Sequence, residues 1–317
     1  MPKALENIKK NYIKTLFKTV DKSFEICIIT KTMLGEIRVY APAKINLGLR
    51  VLPKREDGYH PIESVFATVG LSDVLTVQPL ADKNVCKVFC SQADVPQENT
   101  VNAAYKAAKS VLGRDLPGVS VQLTKRIPLG GGLGGGSSDA AALLVALQKL
   151  DVAITSQEAD KIAALVGSDV FFFLSLNGKP EGAALVWGRG EMVKPIAPRS
   201  DLHYVLVFPG VHSSTAKAYA ALDERMGKPG DECLSLDQLE SVYRSPVKDW
   251  TFTNDFTPVI AAEYSKVKRA LEDVKLSGAL FSDMSGSGST VFGVYESASQ
   301  AQAAANFLSG KWNATLL

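Results

Sequence analysis

The segment "KRIPLGGGLGGGSSDAAALL" covers residues 125 to 144 and places six glycines within positions 130 to 136, followed at once by Ser137, Ser138 and Asp139. Upstream, "GVSVQLTKRIPL" alternates apolar and polar residues as a half-buried strand does. Downstream, Ala140, Leu143, Leu144, Leu147 and Leu150 recur at helical spacing, with Ser137 or Ser138 as the natural N-cap. The order is therefore strand, bare backbone, helix start. Glycine lets peptide N–H groups approach a ligand with no Cβ in the way. A helix start leaves its first N–H groups unpaired, with the positive end of the dipole outward. Together they make an anion site. One exposed dipole contact contributes only about 0.3–1 kcal/mol, so a cradle of several N–H groups suits a polyphosphate better than a single carboxylate.

Other glycine-rich motifs fit less well. Gly130, Gly132 and Gly135 satisfy G-x-G-x-x-G, but so dense a glycine run meets many patterns by chance, and no acidic partner follows on a parallel strand about 20 residues on. No Gly-Lys-Ser/Thr follows the glycines, which excludes a Walker A loop. A flexible linker is the remaining alternative, and linkers do not usually run straight into a capped amphipathic helix.

The rest of the 317-residue chain sets the frame. A hydrophobic fraction of 46% and a charged fraction of 21% describe a soluble globular protein long enough for two domains. A net charge of +2 gives no basic stripe for nucleic acid. No apolar run approaches the roughly 18 residues of a membrane span, and the start lacks the order of a secretory signal, so a cytoplasmic location is expected. Four cysteines and three histidines show no zinc spacing. Cys86 and Cys90 share a parity, so on a strand they face one side, most simply as small core residues. Nothing in the composition speaks to oligomeric state.

Along the chain, residues 1–32 form a Lys-rich extension in which Lys9, Lys10, Lys14, Lys18 and Lys22 interleave with Ile13, Leu16, Phe17 and Val20. A basic amphipathic helix, a dispensable extension and a start codon placed ahead of Met33 are all open readings. "EIRVYAPAKINLGLRVL" suggests two strands separated near Pro42, and a strand pair is expected over Val74–Gln78 and Val85–Cys90. "ENTVNAAYKAAKSVL" reads as a helix, "SQEADKIAALVG" as another ending near Gly167, and "GAALVWGRGEMVKPI" as a hairpin turning at Gly188–Gly190. A strand "LHYVLVFP", helices near 214–226 and 257–273, a strand within "DMSGSGSTVFGVY" and a closing helix "SASQAQAAANFL" complete the pattern. Antiparallel strands with clustered helices indicate an α+β fold. The division between lobes is expected within residues 177–198, giving domains 33–180 and 181–317 after the extension.

Two further segments carry chemistry. "APAKINLGLRVLPKREDGYHPIESVF", residues 41–66, puts Lys44 and Asn46 on one strand face and then an Asp57-Gly58-Tyr59-His60 turn; on pattern alone Lys44 is a solvated edge lysine. "DMSGSGSTVFGVY", residues 283–295, is a second glycine-serine turn.

These segments, in this order and with Gly167-Ser-Asp169-Val, resemble the GHMP kinase family. Within it they resemble the branch whose substrate alcohol is a cytidyl-linked methylerythritol of the non-mevalonate isoprenoid pathway. The resemblance covers about residues 35 to 310. It implies two lobes, one like ribosomal S5 domain 2 and one ferredoxin-like, and a reaction that moves the γ-phosphoryl of ATP, with Mg²⁺, to an alcohol. It further implies that Asp169 is the base and Lys44 its partner. Pro128, Gly130, Gly131, Gly132, Leu133, Gly134, Gly135, Gly136, Ser137 and Ser138 would hold ATP, with Ser138 near Mg²⁺ and Asn99 near adenine. Asn46, Tyr59, His60 and Tyr219 would hold substrate, the tyrosines stacking on cytosine and His60 reading its edge. Asn99 as a plain helix cap and Tyr219 as plain helix core stand as alternatives. A GHMP kinase for homoserine or mevalonate is disfavoured by the Tyr59-His60 pair, and a catalytically dead sensor by the intact Lys44 and Asp169. Phe171 stands where the family usually has proline.

Overall fold

The computed structural model describes residues 30–31, 35–91, 96–225 and 234–317. The readings for the N-terminal extension fall outside these residues except for Thr30–Lys31, which form strand β1.

The first sheet is built on two long strands. β2, Ile37–Val51, is buried along most of its length because both faces are covered. It is one strand and not the expected two: register shifts at Pro42/Ala43 and Leu47/Leu49 absorb the proline and the following bend as bulges, without ending the pairing with β3, Ile62–Lys83. The sheet also holds β4 (Cys86–Cys90), β5 (Pro117–Thr124), β6 (Ala183–Gly188) and β7 (Met192–Ile196). Its order is β1-β2-β3-β5-β4, with β6 on the first half of β3 and β7 on β6. β3 and β4 do not pair as expected. β5 lies between them, and β4 runs parallel to β5 because helix α1, Thr100–Leu112, provides the crossover that a parallel pair requires. Cys86 and Cys90 are both half-buried, as their shared parity implies, and burial pushes the Cys86 thiol up to about 12.

Helices α2 (Gly135–Lys149), α3 (Ser156–Val166) and α4 (Asp169–Ser175) join α1 over the first sheet. After the β6–β7 hairpin, which lies within residues 177–198, the chain builds a second, antiparallel sheet. Its strands are β8 (His203–Phe208), β9 (Phe281–Met284), β10 (Val291–Tyr295) and β11 (Asn313–Leu316), in the order β11-β8-β10-β9. Around it lie α5 (Thr215–Arg225), α6 (Leu236–Arg244), α7 (Phe256–Glu263), α8 (Ser265–Leu276) and α9 (Ala298–Ser309). The helix expected over 257–273 is two helices, because Tyr264 leaves helical geometry at φ −115° and ψ 98°. α6 and β11 are short elements whose partners lie far away in sequence. The two lobes share a core in which Ile45, Leu47 and Val65 of the first sheet join Leu206 and Phe292 of the second.

Asp283, at the end of β9, is buried beneath the glycine-serine turn, where its Oδ1 accepts hydrogen bonds from the Thr257 hydroxyl at 2.5 Å and the Met284 N–H at 2.7 Å. Burial pushes its carboxyl up to about 7, against the opposing pull of these bonds. The folded state therefore keeps a proton that the unfolded chain releases near pH 4, so this group's contribution to stability falls as pH rises from about 4 to 7 and is flat above. Asp283→Asn keeps an acceptor and loses the titration. In urea unfolding at pH 5 and pH 8, the variant is expected to lose part of that pH slope, gaining roughly 1–3 kcal/mol on the wild type at the higher pH.

Candidate active site

The glycine loop lies between the edge of β2 and the turn of residues 285–290. Among the described residues no strand pairs with β2 on that side beside Lys44, and the Lys44 N–H donates to the Leu133 carbonyl at 3.0 Å. From the other side, the Thr290 N–H donates to the Gly131 carbonyl at 3.2 Å and the Ser285 hydroxyl to the Gly132 carbonyl at 3.0 Å. This explains glycines that phosphate chemistry alone does not. Gly132, at φ +77°, sits where a Cβ would collide with the Ser285 carbonyl, and Gly134, at φ +71°, is wedged between Phe173 and the Lys44 side chain. The bare backbone serves its own chain as well as any ligand.

Helix α2 begins two residues before the serines. Its N-cap is Gly134, which offers no side-chain cap, so neither Ser137 nor Ser138 caps it as expected. Both lie in the first turn, where the left-handed glycine starts the helix early. The Ser138 hydroxyl is consequently buried and makes no hydrogen bond among the described residues. The loop and helix start thus present N–H groups, an unengaged hydroxyl and no first-turn carboxylate closer than Asp139.

Lys44 is no solvated edge lysine: it is 4% exposed. Its Nζ donates to Asn46 Oδ1 at 2.7 Å, lies 3.6 Å from Asp169 Oδ2 and sits over the Phe66 ring. Burial pulls its ammonium below the ordinary lysine range while Asp169 pulls it back up. Asn46 is fixed in turn by donating to Ser64 Oγ at 3.2 Å. Asp169 is the first residue of α4, its side chain about a third exposed toward the cleft. The Phe171 N–H makes only a long 3.3 Å contact to the Ser168 carbonyl. At a helix start that N–H has no intrahelical partner, so phenylalanine and proline are both accommodated there.

Tyr59, His60 and Tyr219 fall on one side of this cleft. His60 is buried and stacks on Tyr219 with ring centroids 5.3 Å apart, and Tyr219 meets Phe256 edge-on. Burial, with a smaller contribution from the Asp169 charge, raises the Tyr219 phenol. Tyr219 is therefore both helix packing and cleft wall. Tyr59 is 54% exposed, and the Arg189 guanidinium from the β6–β7 hairpin lies 4.3 Å from its ring centroid.

Asn99 does what the helix-cap alternative describes. Its Oδ1 accepts from the Val101 N–H at 3.0 Å and from the Asn102 N–H at 3.4 Å. It also lines a cavity of about 500 Å³ with Thr100, Leu129, Gly136, Lys125 and Asp139. Behind that cavity is a buried cluster that the sequence pattern did not single out. Lys125 Nζ bridges Asp73 and Asp139, and the second Asp73 oxygen accepts the Arg126 and Ile127 N–H groups, which orients the chain entering the glycine loop. Burial weighs against the Lys125 ammonium, but the two carboxylates hold it above its ordinary value. Burial pushes Asp139 up to about 7 despite Lys125, with Asp73 adding to the rise. Lys125 and Asp139 flank the glycines in sequence, a usable signal. Asp73 has none, because only the sheet brings it there.

Comparison with known proteins gives the family. Residues 99–176 match the family model described as GHMP kinases N terminal domain, and residues 243–314 the one described as GHMP kinases C terminal. The class is thus a GHMP kinase. A 4-diphosphocytidyl-2-C-methyl-D-erythritol kinase of Treponema pallidum is 38% identical over 288 residues, covering 88% of this chain and 97% of the relative. The enzyme of the same name from Chlorobium luteolum is 36% identical over 277 residues, covering 86% and 93%. A crystal structure of 4-(cytidine 5'-diphospho)-2C-methyl-D-erythritol kinase superposes with a TM-score of 0.71 at 34% identity, covering 88% of this chain and 97% of that one. Homoserine kinase from Cytophaga hutchinsonii, at 17% identity and a TM-score of 0.61, shares the fold. The chain belongs to the 4-diphosphocytidyl-2-C-methyl-D-erythritol kinases of the GHMP kinase family.

Among the described residues no cluster of His, Cys, Asp and Glu forms a metal cage, and no helix is long and apolar enough to cross a membrane.

Lys125→Met leaves two buried carboxylates without their cation. The expected loss is about 3–5 kcal/mol of stability in urea unfolding at pH 8, smaller at pH 5 where Asp139 holds a proton.

Proposed function

We propose that this chain transfers the γ-phosphoryl group of ATP to the 2-hydroxyl of 4-diphosphocytidyl-2-C-methyl-D-erythritol, with Asp169 as general base and Lys44 as its charged partner. The observation that carries the assignment is the buried Lys44 ammonium 3.6 Å from the Asp169 carboxylate, on the strand whose backbone also holds the glycine loop. Phosphoryl transfer depends mainly on positioning and on neutralising charge.

The chain's own groups divide that work. The substrate hydroxyl gives its proton to Asp169 as its oxygen bonds to the γ-phosphorus and the bond to the β–γ bridging oxygen breaks. A positioned base of this kind contributes about 10²- to 10⁴-fold. Lys44 orients the Asp169 carboxylate, and Asn46 holds Lys44 in place while flanking the substrate. Pro128, Gly130, Gly131, Gly132, Leu133, Gly134, Gly135 and Gly136 form the phosphate cradle, with Ser137 at its side. Mg²⁺, when bound, would supply neutralisation of the charge on the phosphates. The unengaged Ser138 hydroxyl supports a contact there, and most of its ligands would be phosphates and water. Asn99 helps shape the cavity assigned to adenine. Tyr59, His60 and Tyr219 form the cytosine subsite. The reaction is assigned to the cytoplasm, with residues 33–180 and 181–317 as its ATP and substrate domains except that the β6–β7 hairpin completes the first sheet.

The test is ADP release with ATP, Mg²⁺ and, in turn, the cytidyl substrate, its cytidine-free analogue, homoserine and mevalonate. Turnover is expected only with the cytidyl compound. Asp169→Asn is expected to lose about 10²-fold or more in kcat while its ATP affinity, measured by calorimetry, stays within about twofold. Unimpaired turnover would remove Asp169 from the chemistry.

A further inference from the structure

Asn254, in the segment between α6 and α7, is buried, and its side-chain amide is engaged at both ends. Its Oδ1 accepts the Phe256 N–H at 2.9 Å, and its Nδ2 donates to the Met284 and Gly286 carbonyls, each at 2.8 Å. A carbonyl oxygen only accepts, so the nitrogen must face this pair. The two carbonyls flank Ser285, whose hydroxyl holds the Gly132 carbonyl of the glycine loop. One side chain therefore grips the 285–290 turn at the point where it meets the loop. The segment that carries Asn254 is itself fixed to β2. The Leu49 N–H donates to the Thr253 carbonyl at 2.8 Å, the Asp255 N–H to the Leu49 carbonyl at 2.9 Å, and the Val51 N–H to Asp255 Oδ2 at 2.7 Å. The contacts close a ring: β2 holds the loop at Lys44, the loop meets the turn, the turn hangs on Asn254, and the 253–255 segment returns to β2.

Gly286, held in this way, stands where the cradle meets the catalytic pair. At φ +59°, a Cβ on it would lie 3.3 Å from the Gly132 carbonyl oxygen and 3.4 Å from Asn46 Oδ1, the atom that accepts from the Lys44 ammonium. A shift of the turn would thus be felt by the loop and by Asn46 together. A single hydrogen bond would let the turn pivot about it, whereas two from one planar amide fix both its distance and its tilt. We propose that Asn254 is a positioning residue for the phosphoryl transfer, acting through the 285–290 turn to set the glycine loop against Lys44 and Asn46. The inference rests on the assignment of that loop to the ATP phosphates and of Lys44 to the partner of Asp169. Displacing reacting groups by about 1 Å can cost on the order of 100-fold in rate even when the altered residue is remote from the chemistry.

The experiment measures kcat and both KM values, with ATP and the cytidyl substrate, in wild type, Asn254→Asp, Ser285→Ala and the double variant, and follows urea unfolding of each. Asn254→Asp keeps the shape and the acceptor for the Phe256 N–H but replaces two donated hydrogens by at most one. It is expected to lower kcat about tenfold and raise the KM for ATP about tenfold, while the KM for the cytidyl substrate stays within about threefold. Ser285→Ala is expected to raise the KM for ATP about threefold, and the double variant to match Asn254→Asp within about twofold, since the serine contact depends on the turn that Asn254 holds. Asn254→Ser, neutral and with room for a bridging water, carries the same test with about half the logarithmic effect if the aspartate variant does not fold. A folded variant with wild-type kcat and KM for ATP overturns the proposal, as does a loss of stability with unchanged kinetics, which makes Asn254 structural only. Effects of Asn254→Asp and Ser285→Ala that multiply in full overturn the route through the turn. A wild type that binds ATP but turns over none of the alcohols overturns the proposed function, and the role of Asn254 with it.

Discussion

One backbone hydrogen bond, from the Lys44 N–H to the Leu133 carbonyl, ties the two halves of the site together. Among the described residues no strand pairs with the edge of β2 at Lys44, and a buried N–H must find an acceptor. The glycine loop supplies it. A single residue therefore sets the position of the cradle through its main chain and that of Asp169 through its side chain. The bulge at Pro42/Ala43 adjusts the strand immediately before that residue, and the 285–290 turn closes over the loop from the second lobe. Glycine at 132 and 134 lets these layers approach within a space that a Cβ would fill.

The charges obey the same economy of placement. A lone buried lysine or carboxylate would be strongly disfavoured, and each here is matched: Lys44 with Asp169 and Asn46, and Lys125 with Asp73 and Asp139. The first group stands open to the cleft and can exchange a proton. The second is buried at the back of the cavity beside Asn99 and orders the backbone that enters the loop. Fixed dipoles and charges in a site shielded from water stabilise developing charge with little reorganisation, which suits a reaction that needs positioning above all.

The sequence carried the local parts of this arrangement because they depend on near neighbours. Strand alternation, helical spacing and the density of glycine placed the loop and its flanking elements, and the order of four short segments pointed to the family. Three of the differences from the sequence reading share one cause. Pro42 was expected to end a strand, the serines to cap α2, and β4 to pair with β3. In each case a partner distant in sequence decided otherwise: β3 continuing past a bulge, a left-handed Gly134 held between Phe173 and Lys44, and β5 entering between β3 and β4.

What the sequence determined by itself is the kind of chemistry: a phosphate-sized run of bare backbone ahead of a helix, a lysine and an aspartate in recognisable settings, and a Tyr59-His60 turn. Only the tertiary structure decided that Lys44 is buried against Asp169, that Asp73 supports the loop across the sheet, and that Asn254 holds the 285–290 turn. Residue type and spacing fix hydrogen bonds within a few positions. Burial and the distance between charges are set by packing across the whole chain, and those two quantities govern how an ionisable group behaves.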